Sequence, residues 1–160
     1  MKLVNLNEPD LLYVCDNMRD MDRREIYATR WTENPAHLVD SIMIVPELGW
    51  VAKTDDDVPV AAIGVVPMWD GVWSVWMFAT DKWPDVSLSV TKFIKRALPQ
   101  AMSDAGIHRA QCYSSAEHSV AHAWLRMLGA DKESEIKAYG KNGEDFVLFS
   151  WIKQPSKTHS

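Results

Sequence analysis

Between residues 48 and 80 the hydrophobic pattern changes period, and that change constrains the fold more than any other feature of the chain. GWVAKT, VPVAAIGVV and VWSVWMFAT are runs rich in Val, Ile and Trp, the composition of strands rather than helices. The acidic turn Asp55-Asp56-Asp57 joins the first two runs. Asp70-Gly71, flanked by Trp69 and Trp73, joins the second and third. Asp-Gly between β-like runs is a hairpin signal, because glycine accepts the positive φ that a two-residue turn needs. Residues 48–80 therefore read as an antiparallel meander of three strands.

Helical patterns flank this meander. Ahead of it, KLVNL (2–6) reads as a short strand. Asn7 then caps a helix with Pro9 in its first turn and Leu11, Leu12, Cys15 and Met18 on one stripe. Further helical pieces cover about 20–28 and 35–45. Behind it, Val90, Phe93, Ile94, Ala97, Leu98 and Ala101 recur at helical spacing within 86–105. Pro99 predicts a late kink or end to that helix, and Gly106 a stop. A strand at 108–113 and a helix at 116–128 follow, with Gly129 as the stop. A hairpin of 133–140 against 145–152 closes the chain, turned on Asn142-Gly143. This order predicts an α+β fold: a mixed sheet of about seven strands, a meander plus one parallel crossover through 72–113, with helices on both faces. One domain is expected over 1–152, and a flexible tail over 153–160, where Lys153, Lys157 and His159 make the one uniformly basic segment.

The formal net charge is −5 and the cations are dispersed, which argues against nucleic acid as a partner, since that affinity rests on neutralising phosphates. Arg19, Arg23, Arg24 and Arg30 alternate with Asp20, Asp22 and Glu25. The expected outcome is a solvated helix face of mixed sign, with contact to an acidic protein as the alternative. No run is long and apolar enough for a membrane span, and the N-terminus lacks the apolar stretch of a secretory leader. A cytoplasmic protein with no membrane partner is expected. Cys15 and Cys112 sit among apolar neighbours without metal or redox spacing, so both are expected as buried thiols in a reducing compartment. His118 and His122 share a helix face, yet HSVAH lacks the glutamate of HExxH and a third ligand, and no metal is expected.

The order of elements, and most specifically SAEHSVAHAWLRMLGA at 115–130, resembles the GNAT N-acetyltransferase fold over nearly the whole chain. More narrowly, the spacing of WMFATD, the Ser-initiated helix and WLRMLGA is similar to a GNAT-like family of small internal virion proteins of short-tailed phages, which take part in particle assembly. The resemblance implies acetyl-CoA as the acyl donor. Phe78, Ala79 and Thr80 would then lie beside the pantetheine arm. The N-terminus of the next helix would meet the pyrophosphate, where free N–H groups and the helix dipole favour an anion. The family reaches that helix through a (Gln/Arg)-x-x-Gly-x-(Gly/Ala) loop. Here the stretch from Asp81 to Ser89 has no glycine and carries Asp81 and Asp85. Lys82, Ser87 and Ser89 are the groups that would offset them, while Asp85 or Ser87 as a simple helix cap is the alternative.

Catalytic positions are mixed in the same way. The tyrosine that many members place four residues before the helix-terminal glycine, as the acid for the leaving thiolate, is Leu125 here, which donates no proton. Ser114 or Ser115 stands where the family often has asparagine, as a pantetheine contact or a helix cap. Tyr113 and His118 are the expected proton-transfer residues. Four of the eight Trp, namely Trp69, Trp73, Trp76 and Trp83, gather around the third and fourth strands and the loop after them. Trp73 and Trp76 have opposite parity and should face opposite sides of the sheet. Packing between sheet and helices is one reading of the tryptophans. The other is an aromatic acceptor or protein surface, with Trp31, Trp73 and Trp83 as substrate or partner contacts. Two functions follow: an acetyltransferase acting on an amine, such as a protein lysine or N-terminus, and a non-catalytic protein that binds a host or virion partner. Oligomeric state stays open, a homodimer included.

Overall fold

In a computed structural model that describes residues 1–153, one seven-stranded sheet carries five helices on its two faces. The strands are β1 (Lys2–Asn5), β2 (Gly49–Lys53), β3 (Pro59–Trp69), β4 (Val72–Ala79), β5 (Arg109–Ser115), β6 (Asp131–Ile136) and β7 (Phe146–Ile152). The helices are α1 (Glu8–Asp16), α2 (Asp20–Ala28), α3 (Pro35–Ile42), α4 (Ser87–Asp104) and α5 (Ser119–Met127). Sheet order is β1-β2-β3-β4-β5-β7-β6, and every pair is antiparallel except β4 with β5. This is the mixed α+β arrangement expected from the sequence.

Local chemistry explains most boundaries. The Asn7 side chain accepts the Asp10 N–H at 3.0 Å and starts α1 with Pro9 in its first turn. Gly71, at φ +80°, turns β3 into β4. Three expectations are corrected. Pro99 does not end α4, which runs on to Asp104. Pro99 and Lys95 are both exposed, so water can satisfy the carbonyl that the proline leaves unpaired. Helix α5 starts at Ser119 rather than near 116, because β5 stays paired with β7 through Ser115 and the Ala116 N–H goes to the Asp145 carbonyl. Asn142-Gly143 is not a two-residue turn. Strand β6 ends at Ile136 opposite Phe146, and residues 137–145 form a longer loop in which Asp145 accepts the Ala138 N–H at 2.9 Å. Of the tail expected over 153–160, the part that carries Lys157 and His159 lies outside the described residues.

The core has two sides, set by strand alternation. Leu11, Val14, Leu38 and Val39 of α1 and α3 pack on Val51, Ala62 and Phe78. On the opposite face Ile63, Ala79, Val86 and Val90 pack together with Met77 and Phe93, and Leu125 of α5 packs on Val147 and Phe149. Trp76 stacks on Phe78 at 5.5 Å on the first face. Trp73 joins Met102 and Ile107 on the second. The two rings thus take opposite sides, as their parity requires. Burying one such side chain is worth roughly 1.5–3 kcal/mol.

Candidate functional site

Strands β4 and β5 pair only from Val72–Arg109 to Ser74–Gln111. Beyond that point they diverge, although β4 continues to Ala79 and β5 to Ser115. The outer neighbours β3 and β7 keep each strand straight along its other edge. The Thr80 N–H points to Val60 of the β3 side, whereas the Ala79 N–H points away from it. Alternation then turns the N–H and C=O of Val75 and Met77 to the same open edge as Ala79. A cavity of about 320 Å³ follows this splay.

Helix α2 lies across the wide end of the splay. Arg19 at its cap, Asp22 and Glu25 are three residues apart and share one face. Asp22 Oδ2 accepts the Ala79 N–H at 2.8 Å and the Arg19 guanidinium at 2.8 and 3.1 Å. The Arg19 N–H is given to the Ala79 carbonyl at 2.8 Å. On the other strand, Glu25 Oε1 accepts the Ser115 N–H. His118 closes the chain of groups. Its Nδ1 is 3.1 Å from Glu25 Oε2 and its Nε2 is 3.7 Å from Asp22 Oδ1. One helix thus ties both diverging edges, and one imidazole joins its two carboxylates.

These groups sit in little water. Asp22 is 4% exposed and His118 6% exposed. Burial pushes the Asp22 carboxyl above its ordinary range, and Arg19 and the Ala79 N–H pull it back. His122 donates from Nε2 to the Ser115 carbonyl at 2.8 Å, and burial lowers its pKa below the usual histidine value. The solvated face expected of this helix is therefore only half of it. Asp20, Arg23 and Arg24 are exposed and pair with one another, while Arg19, Asp22 and Glu25 face inward. Their spacing was the available signal: in a helix, residues three apart stack on one side.

Helix α4 begins after a short 3₁₀ turn at Trp83–Asp85, with Val86 at its cap and no side-chain capping bond. Neither Asp85 nor Ser87 caps it, since Ser87 is already the first helical residue. The first intrahelical bond is Val90 N–H to the Val86 carbonyl at 2.9 Å, which leaves the amides of Ser87, Leu88 and Ser89 without helical acceptors. Ser89 and Lys82 are exposed, as are Asp81 and Asp85. Trp83 sets its edge against Trp124 at 5.4 Å and lies under the Arg19 guanidinium at 5.7 Å.

The other expected positions fall in distinct places. Phe78, Ala79 and Thr80 are buried, and the Ala79 N–H and C=O are already bonded to Asp22 and Arg19. The backbone groups left facing the gap are the Val75 carbonyl and the N–H and carbonyl of Met77, farther up β4. Ser115 caps no helix; it is a strand residue whose N–H meets Glu25 and whose carbonyl meets His122. The Ser114 hydroxyl is buried without a hydrogen-bond partner among the described residues. Tyr113 stacks on Tyr139 at 4.8 Å and lines the cavity. Trp73, 8% exposed, lines its inner end, whereas Trp31 is fully exposed on the surface. Cys15 and Cys112 are free thiols, each pushed up to about 12 by burial. Among the described residues no group of three His, Cys, Asp or Glu could hold a metal, and no helix is long and apolar enough to cross a membrane.

No protein-family model matches the sequence, and no curated protein does. Solved structures do match in fold. An acetyltransferase of the GNAT family from Bacillus anthracis superposes with a TM-score of 0.70 at 13% identity, over 94% of this chain and 93% of its own. A ribosomal-protein-alanine N-acetyltransferase from Brucella melitensis gives 0.71 at 12% identity, over 95% and 99%. A mutant spermidine N-acetyltransferase from Vibrio cholerae gives 0.70 at 12% identity, over 94% and 92%. The chain has the GNAT fold.

Proposed function

With that fold as premise, we propose that the protein is an N-acyltransferase that moves acetyl from acetyl-CoA to an amine. The observation that carries this reading is the splay of β4 from β5 with a histidine and two carboxylates at its wide end. The residues present suit a CoA thioester. Val75 and Met77 offer strand-edge groups to the amides of the pantetheine arm. Lys82 and the uncapped amides of Ser87, Leu88 and Ser89 suit a pyrophosphate. The thioester, when bound, supplies an activated acyl group.

The protein's own residues supply position and proton handling. An amine that becomes an amide must lose a proton, and Glu25 and His118 form the acceptor pair for it, with Asp22 behind the ring. Two carboxylates at this end also draw in a cationic amine, which gives one proton to this pair and on to water to become a nucleophile. The second, lost as the amide forms, balances the one the thiolate takes up. The departing thiolate needs a proton, and Tyr113 is the phenol that lines the cavity where Leu125 offers none. Holding both reactants in one cleft provides most of the acceleration. The acceptor is an amine of a small molecule or of a host or virion protein, met in the cytoplasm of the cell.

A second reading keeps the fold without the chemistry. The loop into α4 is free of glycine, exposes two aspartates and packs Trp83 against Trp124, which favours a phage-encoded assembly or host-binding protein. Calorimetric titration with acetyl-CoA separates the two. Micromolar binding, with CoA released when amines are added, supports the transferase. No heat and no melting shift at millimolar acetyl-CoA refutes it. Ser87→Glu with Ser89→Glu should abolish binding if the α4 N-terminus holds the pyrophosphate.

A further inference from the structure

Ser114 is 3% exposed, and its hydroxyl has no hydrogen-bond partner among the described residues. A buried donor left unpaired costs stability, so folded proteins keep few of them and those few call for a reason. Two other side chains share this condition, Tyr27 and Glu144, and neither lines the cleft. Ser114 does.

Strand register fixes where that hydroxyl stands. Pairing of β4 with β5 stops at Ser74–Gln111, and the same count carried three residues farther sets Ser114 level with Met77 across the gap. The backbone there is held on both sides. Ser114 pairs with Val147 of β7, and the next residue, Ser115, is tied by Glu25 and His122. Alternation gives Ser114 the face of Cys112, which packs with Leu125 and Trp124 of α5. Tyr113 takes the opposite face, where it stacks on Tyr139. Leu125, Leu128 and Trp124 line the cleft on the α5 side, and the Trp124 N–H is already given to Thr91 Oγ1 at 2.9 Å. Among the described residues lining that side, Ser114 carries the only hydroxyl.

We infer that the Ser114 hydroxyl donates a hydrogen bond to the thioester sulfur as its bond to the acyl carbon breaks. This role rests on the transferase reading and adds a catalytic residue to it. A pantetheine arm whose last amide is held at Met77 has its sulfur two carbons farther on, toward the acid–histidine end and beside Ser114. The amine nitrogen bonds to the carbonyl carbon, and the electron pair of the C–S bond passes to sulfur. Ser114 keeps its own proton and steadies that charge from the α5 side, while Tyr113 delivers a proton from the other face. A hydroxyl bonds a thiolate more strongly than a neutral thioester sulfur, so the contact favours the departing state over the bound one.

Two readouts separate this role from a structural one. Ser114→Ala deletes an unpaired buried hydroxyl and should leave Tm unchanged or raise it. CoA and desulfo-CoA are then titrated by calorimetry into both proteins at pH 9, above the ordinary thiol pKa of ~8.5. Ser114→Ala should weaken CoA by about tenfold or more, as expected for losing a hydrogen bond to a charged group, and leave desulfo-CoA unchanged. A fall in Tm, an equal loss for both ligands, or no loss for CoA overturns the role of Ser114 and leaves the transferase reading standing. Failure of the unaltered chain to bind either ligand overturns both.

Discussion

Asp22 offers the sharpest test of how the site is held together. Replacing it with alanine removes three contacts: the Ala79 N–H at 2.8 Å, the Arg19 guanidinium and the more distant His118 ring. The Ala79 N–H is buried and would be orphaned, at about 1–3 kcal/mol. Arg19 keeps some access to water, so losing its partner adds only about 1 kcal/mol. The sum is about 2–4 kcal/mol. Asp22→Asn retains an oxygen for the Ala79 N–H and should cost about half as much. At about 2–4 °C per kcal/mol for a chain of this size, alanine should lower Tm by about 5–15 °C. Urea unfolding at unchanged slope gives the free energies, and amide exchange at Ala79 should speed up in the alanine variant alone. Equal losses for the two variants, or an alanine loss below about 1 kcal/mol, would refute the role of Asp22 as the tie between α2 and β4.

His122 should make stability fall in mild acid. Burial holds its folded pKa below the ordinary histidine value of 6.5, so the unfolded chain takes the proton first, and stability present above 6.5 is lost as pH drops through the folded value; Tm against pH should be flatter for His122→Gln. Gly64→Ala would set a Cβ 2.6 Å from the Trp76 ring and 2.8 Å from the Leu48 carbonyl oxygen. With Trp76 stacked on Phe78, about 1–3 kcal/mol should be lost, read by urea unfolding. Cys15 and Cys112, both near 12, should react with a disulfide reagent at pH 8 at least ~100-fold more slowly than a free thiol of pKa ~8.5, and at full rate in denaturant.

The fold was legible because its signals are local. Asp70-Gly71 announces its hairpin, Asn7 and Pro9 announce α1, and alternation alone places Trp73 and Trp76 on opposite faces. The site was legible only in part. His118 and Tyr113 were within reach because they flank one strand end, and the structure sets both along the cavity. Spacing put Asp22 and Glu25 on one face with Arg19, but that this face turns inward was not legible, because their partners Ala79, Ser115 and His118 are distant in sequence and charge alternation alone reads as solvent exposure. That Met77, rather than Ala79, keeps its strand-edge groups free was hidden for the same reason. Which backbone groups stay free depends on where α2 docks, and nothing local encodes docking.

The missing glycines of the loop before α4 bear on affinity more than on geometry. Glycine serves such a loop by permitting positive φ and by letting an anion come close. The first service is not needed here, since the 3₁₀ turn at Trp83–Asp85 is flanked by Lys82 at φ −83° and Val86 at φ −124°, both open to any residue. The amides at the start of α4 stay uncapped for the same reason: the chain enters the helix through Val86, which has no acceptor to offer. What remains is charge. Asp81 and Asp85 are exposed, so each opposes an anion by about 1 kcal/mol at contact distance in water, and Lys82 offsets one of them. A net opposition of that size weakens pyrophosphate binding by roughly fivefold. That is too little to close the site, which is why the splay and its acid–histidine end carry the functional reading and the loop does not.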